Sequence, residues 1–223
     1  MSTHAYAAPS VFSRAHGHLA ALVSRPWFWV LFVLLAGGIP IVRAVRVELP
    51  PPLPVLATVP RFQLTDQHGQ TFDAQQLQGK VWVANFIFTR CPTICPLFTQ
   101  QMGTIQHRGR NLGQYFHLVS FTVDPEHDTP EKLLAYAQTH RVSPRMWSFL
   151  TGSYEALKAV IVDGMKVHMQ KGVDPDDLMS IGHGSHFVLV DAKMQVRGYY
   201  QFNDPGAVDK LLRDAGLLAM RGY

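Results

Sequence analysis

Residues 81–96 decide the fold, and they read Val81-Trp82-Val83-Ala84-Asn85-Phe86-Ile87-Phe88-Thr89-Arg90-Cys91-Pro92-Thr93-Ile94-Cys95-Pro96. The first eight residues are almost all apolar, which predicts a strand buried on both faces. A helix-compatible run, residues 97–109, follows the last proline of this stretch. The chain has two cysteines in all, so its sulfur chemistry is confined to the junction between this strand and this helix.

Three residues separate the two cysteines, and a proline follows each of them. A residue before proline is disfavoured in the helical region, so we expect Cys95 to cap the helix and Pro96 to be its first residue. Residues 91–94 then form a tight loop that can bring the sulfurs within disulfide range, or turn both toward one soft metal ion. The positive end of the helix favours thiolate over thiol. Inert, buried cysteines are the plain alternative, which the polar and charged neighbours disfavour.

The composition allows one globular domain with an additional apolar segment. The 223 residues are 47% hydrophobic and 16% charged, a mixture that supports one core of ordinary size. The formal net charge is +4, but no basic stripe alternates with aromatic residues. Nucleic-acid binding is therefore not indicated.

The N-terminal part of the chain predicts a membrane anchor. Residues 26–42 carry no charge, and a membrane span needs about 17–25 such residues. We therefore predict an N-terminal tail at 1–25, a transmembrane helix at 26–43, a proline-rich linker at 44–58 and a globular domain at 59–223. A buried core helix and a cleaved signal peptide are the alternatives for the apolar segment. Arginines flank it evenly, so charge does not set its orientation.

The globular part alternates predicted strands and helices, with a hairpin of strands near its end. This order indicates an α/β sheet. Ligands of such sheets gather at the carboxyl ends of the strands. Cys91 follows the strand at 81–88, and Asp124 follows a second predicted strand at 115–123. We therefore expect these two residues at the same edge of the sheet.

Three features together resemble the Sco (SenC) family of membrane-anchored, thioredoxin-like copper proteins. They are the cysteine motif Phe88–Pro96, the stretch Val123-Asp124-Pro125-Glu126-His127-Asp128-Thr129-Pro130, and a histidine before a late strand. The resemblance covers about residues 59–217. It implies a thioredoxin-like mixed sheet flanked by helices and preceded by an N-terminal transmembrane helix.

The resemblance also implies a metal site formed by Cys91, Cys95 and one histidine. His183 stands eight residues before Asp191, as the family histidine stands before its turn, whereas His186 falls within the following strand. We therefore expect His183 as the ligand and a half-buried, hydrogen-bonded His186. Asp124 is a candidate for an outer partner of the site. Asp128 has the same two interpretations, an outer partner or a capping residue.

The sequence departs from the family pattern at two places. Gly182 stands where an acidic residue often precedes the histidine, so an outer contact of the site is in doubt. The turn that usually reads Pro-Asp-Gly is Ala192-Lys193-Met194 here.

The function implied by the resemblance is that of a copper metallochaperone. It would bind Cu(I) or Cu(II) and pass the ion to the copper-receiving subunit of a respiratory oxidase, for the dinuclear copper centre of cytochrome c oxidase. Two thiolates and an imidazole match Cu(I) and also accept Cu(II), whereas structural zinc sites usually have four protein ligands. A single-pass anchor in the inner membrane with a periplasmic domain would suit this role.

Three other hypotheses concern the same region. The protein could be a thiol–disulfide oxidoreductase, with Cys91 as nucleophile and Cys95 as the resolving thiol. A peroxidase would need Arg90 to activate a cysteine. The segment Met165–Met169, which includes His168, could be a transient copper relay or ordinary core packing.

Overall fold

The structure is a computed structural model, and it describes residues 23–45, 50–91, 94–170 and 182–221. The chain divides into two compact units, Met1–Pro52 and Leu53–Tyr223. In the first unit, helix α1 spans Pro26–Val45. Its window Pro26–Arg43 has a mean hydropathy of 1.7 and none of it is buried. By length and composition, α1 is able to cross a membrane, and the predicted apolar helix is present.

The second unit contains the sheet and the remaining helices. Its described strands are β1 (Ala57–Thr58), β2 (Gln63–Asp66), β3 (Thr71–Asp73), β4 (Val81–Ile87), β5 (Phe116–Thr122), β6 (Trp147–Thr151), β7 (Met169–Gln170), β8 (Gly182–His183), β9 (His186–Val190) and β10 (Gln195–Gln201). Its α-helices are α2 (Ile94–Gly109), α3 (Pro130–Thr139), α4 (Tyr154–Lys158) and α5 (Ala207–Met220). The 3₁₀ segments are Ala74–Leu77 and Arg110–Tyr115, and a π-helical turn, Ala159–Gly164, follows α4.

Eight strands form one mixed sheet in the order β1-β10-β9-β4-β5-β6-β2-β3. The three central strands β4, β5 and β6 are parallel, and the flanking strands are antiparallel to their neighbours. Strands β7 and β8 pair with each other in a separate small sheet. The predicted α/β fold with a late hairpin is confirmed. Cys91 and Asp124 follow β4 and β5, so the carboxyl edge of the parallel strands carries both.

The apolar sequence of β4 explains its central position. All seven of its residues are buried, as expected for a parallel strand with both faces covered. On one face, helix α2 packs Phe98 against Phe187 of β9, with ring centroids 4.5 Å apart. Helix α5 contacts α2, and its Asp214 accepts a hydrogen bond from Tyr200 of β10. This packing fixes the first turn of α2, which carries Cys95.

Two predicted boundaries differ from the structure. The predicted linker ran to residue 58, but Ala57 and Thr58 form β1 and pair with Val196 and Gln195, and the compact unit begins at Leu53. Helix α2 begins at Ile94, so the prediction that Pro96 is its first residue was wrong. The first-turn N–H groups of a helix have no intrahelical partner, so proline is tolerated throughout that turn.

Replacing Arg141 with glycine is expected to stabilise the protein by about 1 kcal/mol. Arg141 follows helix α3 with a φ of 53°. Its N–H donates to the Gln138 carbonyl, and the Val142 N–H donates to that of Ala137. This Schellman arrangement favours glycine in the left-handed position. Urea unfolding measures the change. Arg145→Gly is the control, since Arg145 is also exposed but has no positive φ, and that variant should lose stability.

Acid is expected to destabilise the fold through His117. Burial and the nearby charge of Lys80 lower the pKa of His117 to about 4, and its Nε2 lies 3.0 Å from Ser148 Oγ. In the unfolded chain the imidazole takes up a proton near its ordinary pKa, so stability falls as the pH drops from about 6.5 toward 4. The loss at pH 4.5 should be roughly 2 kcal/mol. Urea unfolding of His117→Gln at pH 7 and pH 4.5 should show a smaller difference than wild type. His68→Gln, which removes an exposed histidine, should follow wild type.

Candidate metal centre

A fully buried carboxylate fixes the backbone just before Cys91. Asp128 is 0% exposed. Its Oδ1 accepts a hydrogen bond from Thr89 Oγ1 at 2.6 Å, and its Oδ2 accepts from Thr122 Oγ1 at 2.5 Å. The Thr89 N–H also donates to Oδ2, at 3.1 Å. This Asp128 cluster (Thr89, Thr122 and Asp128) joins the end of β4 to the end of β5.

The second acidic residue of this edge contacts the residue next to Cys91. Arg90 Nε donates to Asp124 Oδ2 at 2.8 Å, and both side chains are largely buried. The Asp124 N–H donates to Thr122 Oγ1 at 3.0 Å, which links this ion pair to the Asp128 cluster. Asp124 thus binds the guanidinium of Arg90, which is the residue that precedes Cys91.

Asp128 is not the capping residue of helix α3. Thr129 is the N-cap, and its hydroxyl accepts from the Lys132 N–H. The capping interpretation of Asp128 was therefore wrong, because its carboxylate points back to Thr89 and Thr122 instead. Burial raises the pKa of Asp128, and the hydrogen bonds from the two threonines act in the opposite direction.

Both cysteines are buried and near each other. Cys91 is 8% exposed and Cys95 is 0% exposed, and no disulfide joins them. Besides burial, Cys91 contributes to raising the pKa of the Cys95 thiol, so the two side chains are near each other. The Cys91 N–H donates to the Phe88 carbonyl at 3.2 Å, which turns the chain tightly after β4. The two cysteines therefore lie near each other after β4, as their spacing allowed.

The surroundings of Cys95 favour the thiol over the thiolate that we expected from the start of the helix. Burial raises its pKa, which outweighs the opposite effect of a hydrogen bond from the Phe88 backbone. Desolvation disfavours the charged form of any acid. A metal ion that binds Cys95 must therefore displace its proton, as coordinating ions do.

Tyr136 is a residue near the thiols that the sequence interpretation missed. It lies on helix α3. Its hydroxyl lies 2.8 Å from Thr99 Oγ1 of helix α2. Burial raises the pKa of Tyr136 to about 12. No motif in the sequence signals this contact, because it joins two helices 37 residues apart.

The two candidate histidines lie in the consecutive strands β8 and β9, where His183 ends β8 and His186 begins β9. In β8, His183 pairs with Met169 of β7, but its side chain lies outside the described part of the structure. His186 begins β9 and is half-buried. Strand β9 runs antiparallel to β4, with Ala84 opposite Val188, so β9 begins at the carboxyl end of β4. His186 therefore lies at the edge that carries Cys91, and His183 precedes it by three residues in the chain.

The remaining candidates have ordinary surroundings. Met165 and Met169 are buried in the core, so their sulfurs serve packing. His127 contacts Lys132 Nζ at 3.3 Å on the exposed surface. Among the side chains that the structure describes, no three histidine, cysteine or acidic groups converge as a metal site.

Residues 52–214 match the model of a protein family described as SCO1/SenC. That stretch contains the β4–α2 junction, the Asp128 cluster and strands β7–β10. The chain belongs to the SCO1/SenC family. The resemblance that the cysteine motif and the Asp-Pro motif indicated is confirmed.

This chain matches several SCO1/SenC relatives over nearly the full length of each relative. The SCO1 protein homolog of Bacillus subtilis is 30% identical over 185 residues, which cover 82% of this chain and 89% of that protein. A structure of BsSco, a disulfide-switch member of the Sco family of cytochrome c oxidase assembly proteins, is 30% identical with a TM-score of 0.66, covering 76% of this chain and 98% of that one. Arabidopsis thaliana ScoI with copper bound is 27% identical with a TM-score of 0.61, covering 75% and 100%. The thioredoxin-like mixed sheet flanked by helices is thereby confirmed.

Proposed function

We propose that this protein is a membrane-anchored copper metallochaperone that supports assembly of the dinuclear copper centre of cytochrome c oxidase. The observation that carries the proposal is the pair of buried, neighbouring thiols at the carboxyl edge of the sheet. Two features support it further: a solved relative, Arabidopsis ScoI, holds copper, and another, BsSco, belongs to a family of oxidase assembly proteins.

The ligands in this proposal are Cys91, Cys95 and His183. Two sulfurs and one imidazole form a soft donor set, which suits Cu(I) and also accepts Cu(II) with a further ligand. Asp128 would hold the backbone just before Cys91 in place, because Thr89 donates to its carboxylate through both its N–H and its hydroxyl. Asp124 would act as an outer partner by keeping Arg90 beside the loop.

The partner and the location follow from the same role. The receiving molecule would be the copper-binding subunit of a respiratory oxidase, which takes copper by ligand exchange in a docked complex. Helix α1 would be a single-pass anchor in the inner (cell) membrane, with the domain on the periplasmic, extracytoplasmic side. The length and composition of α1 support the anchor.

A thiol–disulfide oxidoreductase activity of the same pair is the second candidate. The closeness of the two thiols favours it, because one thiol can attack a mixed disulfide formed on the other. Cys91 would attack, since it is the more exposed of the two, and Cys95 would resolve the mixed disulfide. A Cys95→Ser variant should then accumulate mixed disulfides with a protein substrate. Their complete absence would remove this activity.

Replacing His183 with glutamine is expected to weaken Cu(I) binding by at least roughly tenfold, because a direct ligand is lost. His186→Gln is the matched control, because His186 lies three residues away in the same chain segment, and Cu(I) affinity should be unchanged. The measurement is a Cu(I) titration of the full reduced chain in detergent against a competing chelator.

The same Cu(I) titration also tests the proposed function. Oxidation of the two thiols to a disulfide should remove Cu(I) binding, since both sulfurs are then used. A reduced wild-type chain that takes up no Cu(I) would overturn the proposal. If His186→Gln rather than His183→Gln weakened Cu(I) binding, the ligand assignment would be wrong.

A further inference from the structure

Two histidines share a cavity that the thiols do not enter. His168 and His186 both line a cavity of about 410 Å³, together with Ser185 and Tyr199. His168 is exposed and His186 is half-buried, so both imidazoles can be reached from solvent. The role proposed above uses neither of them.

Close packing of Gly184 against the Val167 side chain brings together the segments that carry His168 and His186. Gly184 lies against Val167, and a Cβ added at Gly184 would lie 2.2 Å from Val167 Cγ1. Glycine is therefore required for this approach, because any larger residue would displace the segment that carries His168. His168 follows Val167 directly, and His186 lies two residues after Gly184.

The hairpin β9–β10 fixes the other side of this cavity. His186 pairs with Gln201, and Val188 pairs with Tyr199, so His186 and Tyr199 share one face of the sheet. The Tyr199 hydroxyl donates to the Met165 carbonyl at 2.8 Å. This bond holds the segment 165–168 over the same face. Two contacts, that of Gly184 with Val167 and that of Tyr199 with Met165, therefore hold together the segments that carry the two imidazoles.

We propose that His168 and His186 form a second copper site, which binds Cu(II) through nitrogen and does not use the cysteines. Imidazole is a good ligand for divalent first-row metals, and Cu(II) binds such ligands most tightly among them. The described residues supply two imidazoles, and solvent completes the coordination. Lys166 also lines the cavity but is exposed, so its ammonium group can remain in water.

The second site goes beyond the proposed function and lies at the same edge of the sheet. Strand β9 begins at the carboxyl end of β4, and the chain continues from β4 into Cys91. A Cu(II) ion held there would be concentrated beside the thiol site. Copper could therefore be retained by this protein even when its cysteines are oxidised.

The test uses the full chain with both cysteines replaced by serine and with His4, His16 and His18 replaced by glutamine. The probe is Cu(II) alone, followed by electron paramagnetic resonance. We expect a bound Cu(II) signal with splitting from two nitrogen nuclei. His168→Gln and His186→Gln should each weaken binding by at least roughly tenfold, and combining them should add little. His68→Gln, an exposed histidine on the β2–β3 turn, should have no effect.

A second measurement guards against misfolding of the serine variant. The wild-type cysteines are oxidised to a disulfide, and the same Cu(II) titration is repeated on that chain. Unchanged Cu(II) binding in both His168→Gln and His186→Gln would overturn the inference, as would a signal that depends on His183 instead. Cu(I) binding by the reduced chain tests the proposed function separately, so either idea can fail alone.

Discussion

Replacing Cys95 with serine is expected to remove high-affinity Cu(I) binding while the domain stays folded. Cys95 is fully buried and its thiol contacts that of Cys91. A hydroxyl oxygen is a hard ligand that does not replace a thiolate for Cu(I). Loss of an outer partner alone reduces metal affinity about 10–100-fold, so loss of this sulfur should exceed that range. A chelator-competition titration with Cu(I) measures the effect.

The control for Cys95→Ser separates ligand loss from damage to the fold. The Phe88 N–H can donate to the serine hydroxyl as it does to the sulfur. The stability loss of Cys95→Ser should therefore be about 1–3 kcal/mol. Ala137→Ser introduces a hydroxyl at another buried position and should leave copper affinity intact. Wild-type affinity in a folded Cys95→Ser chain would contradict the ligand assignment.

Replacing Asp128 with alanine is expected to give a large stability loss, about 3–5 kcal/mol in urea unfolding, because three hydrogen-bond donors lose their acceptor. The change removes one buried carboxylate and leaves the Thr89 N–H and the hydroxyls of Thr89 and Thr122 without their acceptor. Each unsatisfied buried group is costly. Cu(I) affinity should fall about 10–100-fold as well, because Thr89 positions the Cys91 loop.

Asp209→Ala is the matched control for Asp128→Ala. Asp209 forms an ion pair with Arg108 at 2.7 Å, but about half of each side chain is exposed. Such surface pairs contribute roughly 0–1 kcal/mol. Asp128→Asn keeps the shape and part of the hydrogen bonding, so its loss should be intermediate. An Asp128→Ala chain as stable as Asp209→Ala would show that the Asp128 cluster does not stabilise the thiol loop.

Much of the fold could be predicted because local patterns and tertiary packing agree. The apolar run of β4 predicts a buried strand, and Thr129 with Pro130 predicts the start of α3. Strands β1, β7 and β8 have two residues each, so no periodicity could reveal them. Strand β1 pairs with the longer strand β10, and β7 and β8 pair with each other, so tertiary pairing rather than local sequence defines them.

The meeting of Cys91 and Asp124 at one edge of the sheet was predictable from the sequence, whereas the electrostatics there were not. The assignment of Cys91, Cys95 and His183 as metal ligands stays a prediction. The spacing of Cys91 and Cys95 indicated that the sulfurs would meet. The protonation of Cys95 depends on burial by distant elements, which a helix-dipole argument does not include. Likewise, the partners of Asp128 lie 39 and 6 residues away, so its role follows from the parallel pairing of β4 and β5.

The bond between Thr89 and Asp128 has a consequence for biosynthesis. Asp128 is made 39 residues after Thr89, so a growing chain displays its cysteines before it can enclose them. At that stage the sulfurs are open to oxidants and to any thiophilic ion in the compartment. Shielding of the pair is therefore acquired late, and a cell that makes this protein must keep the nascent cysteines reduced until β5 has docked.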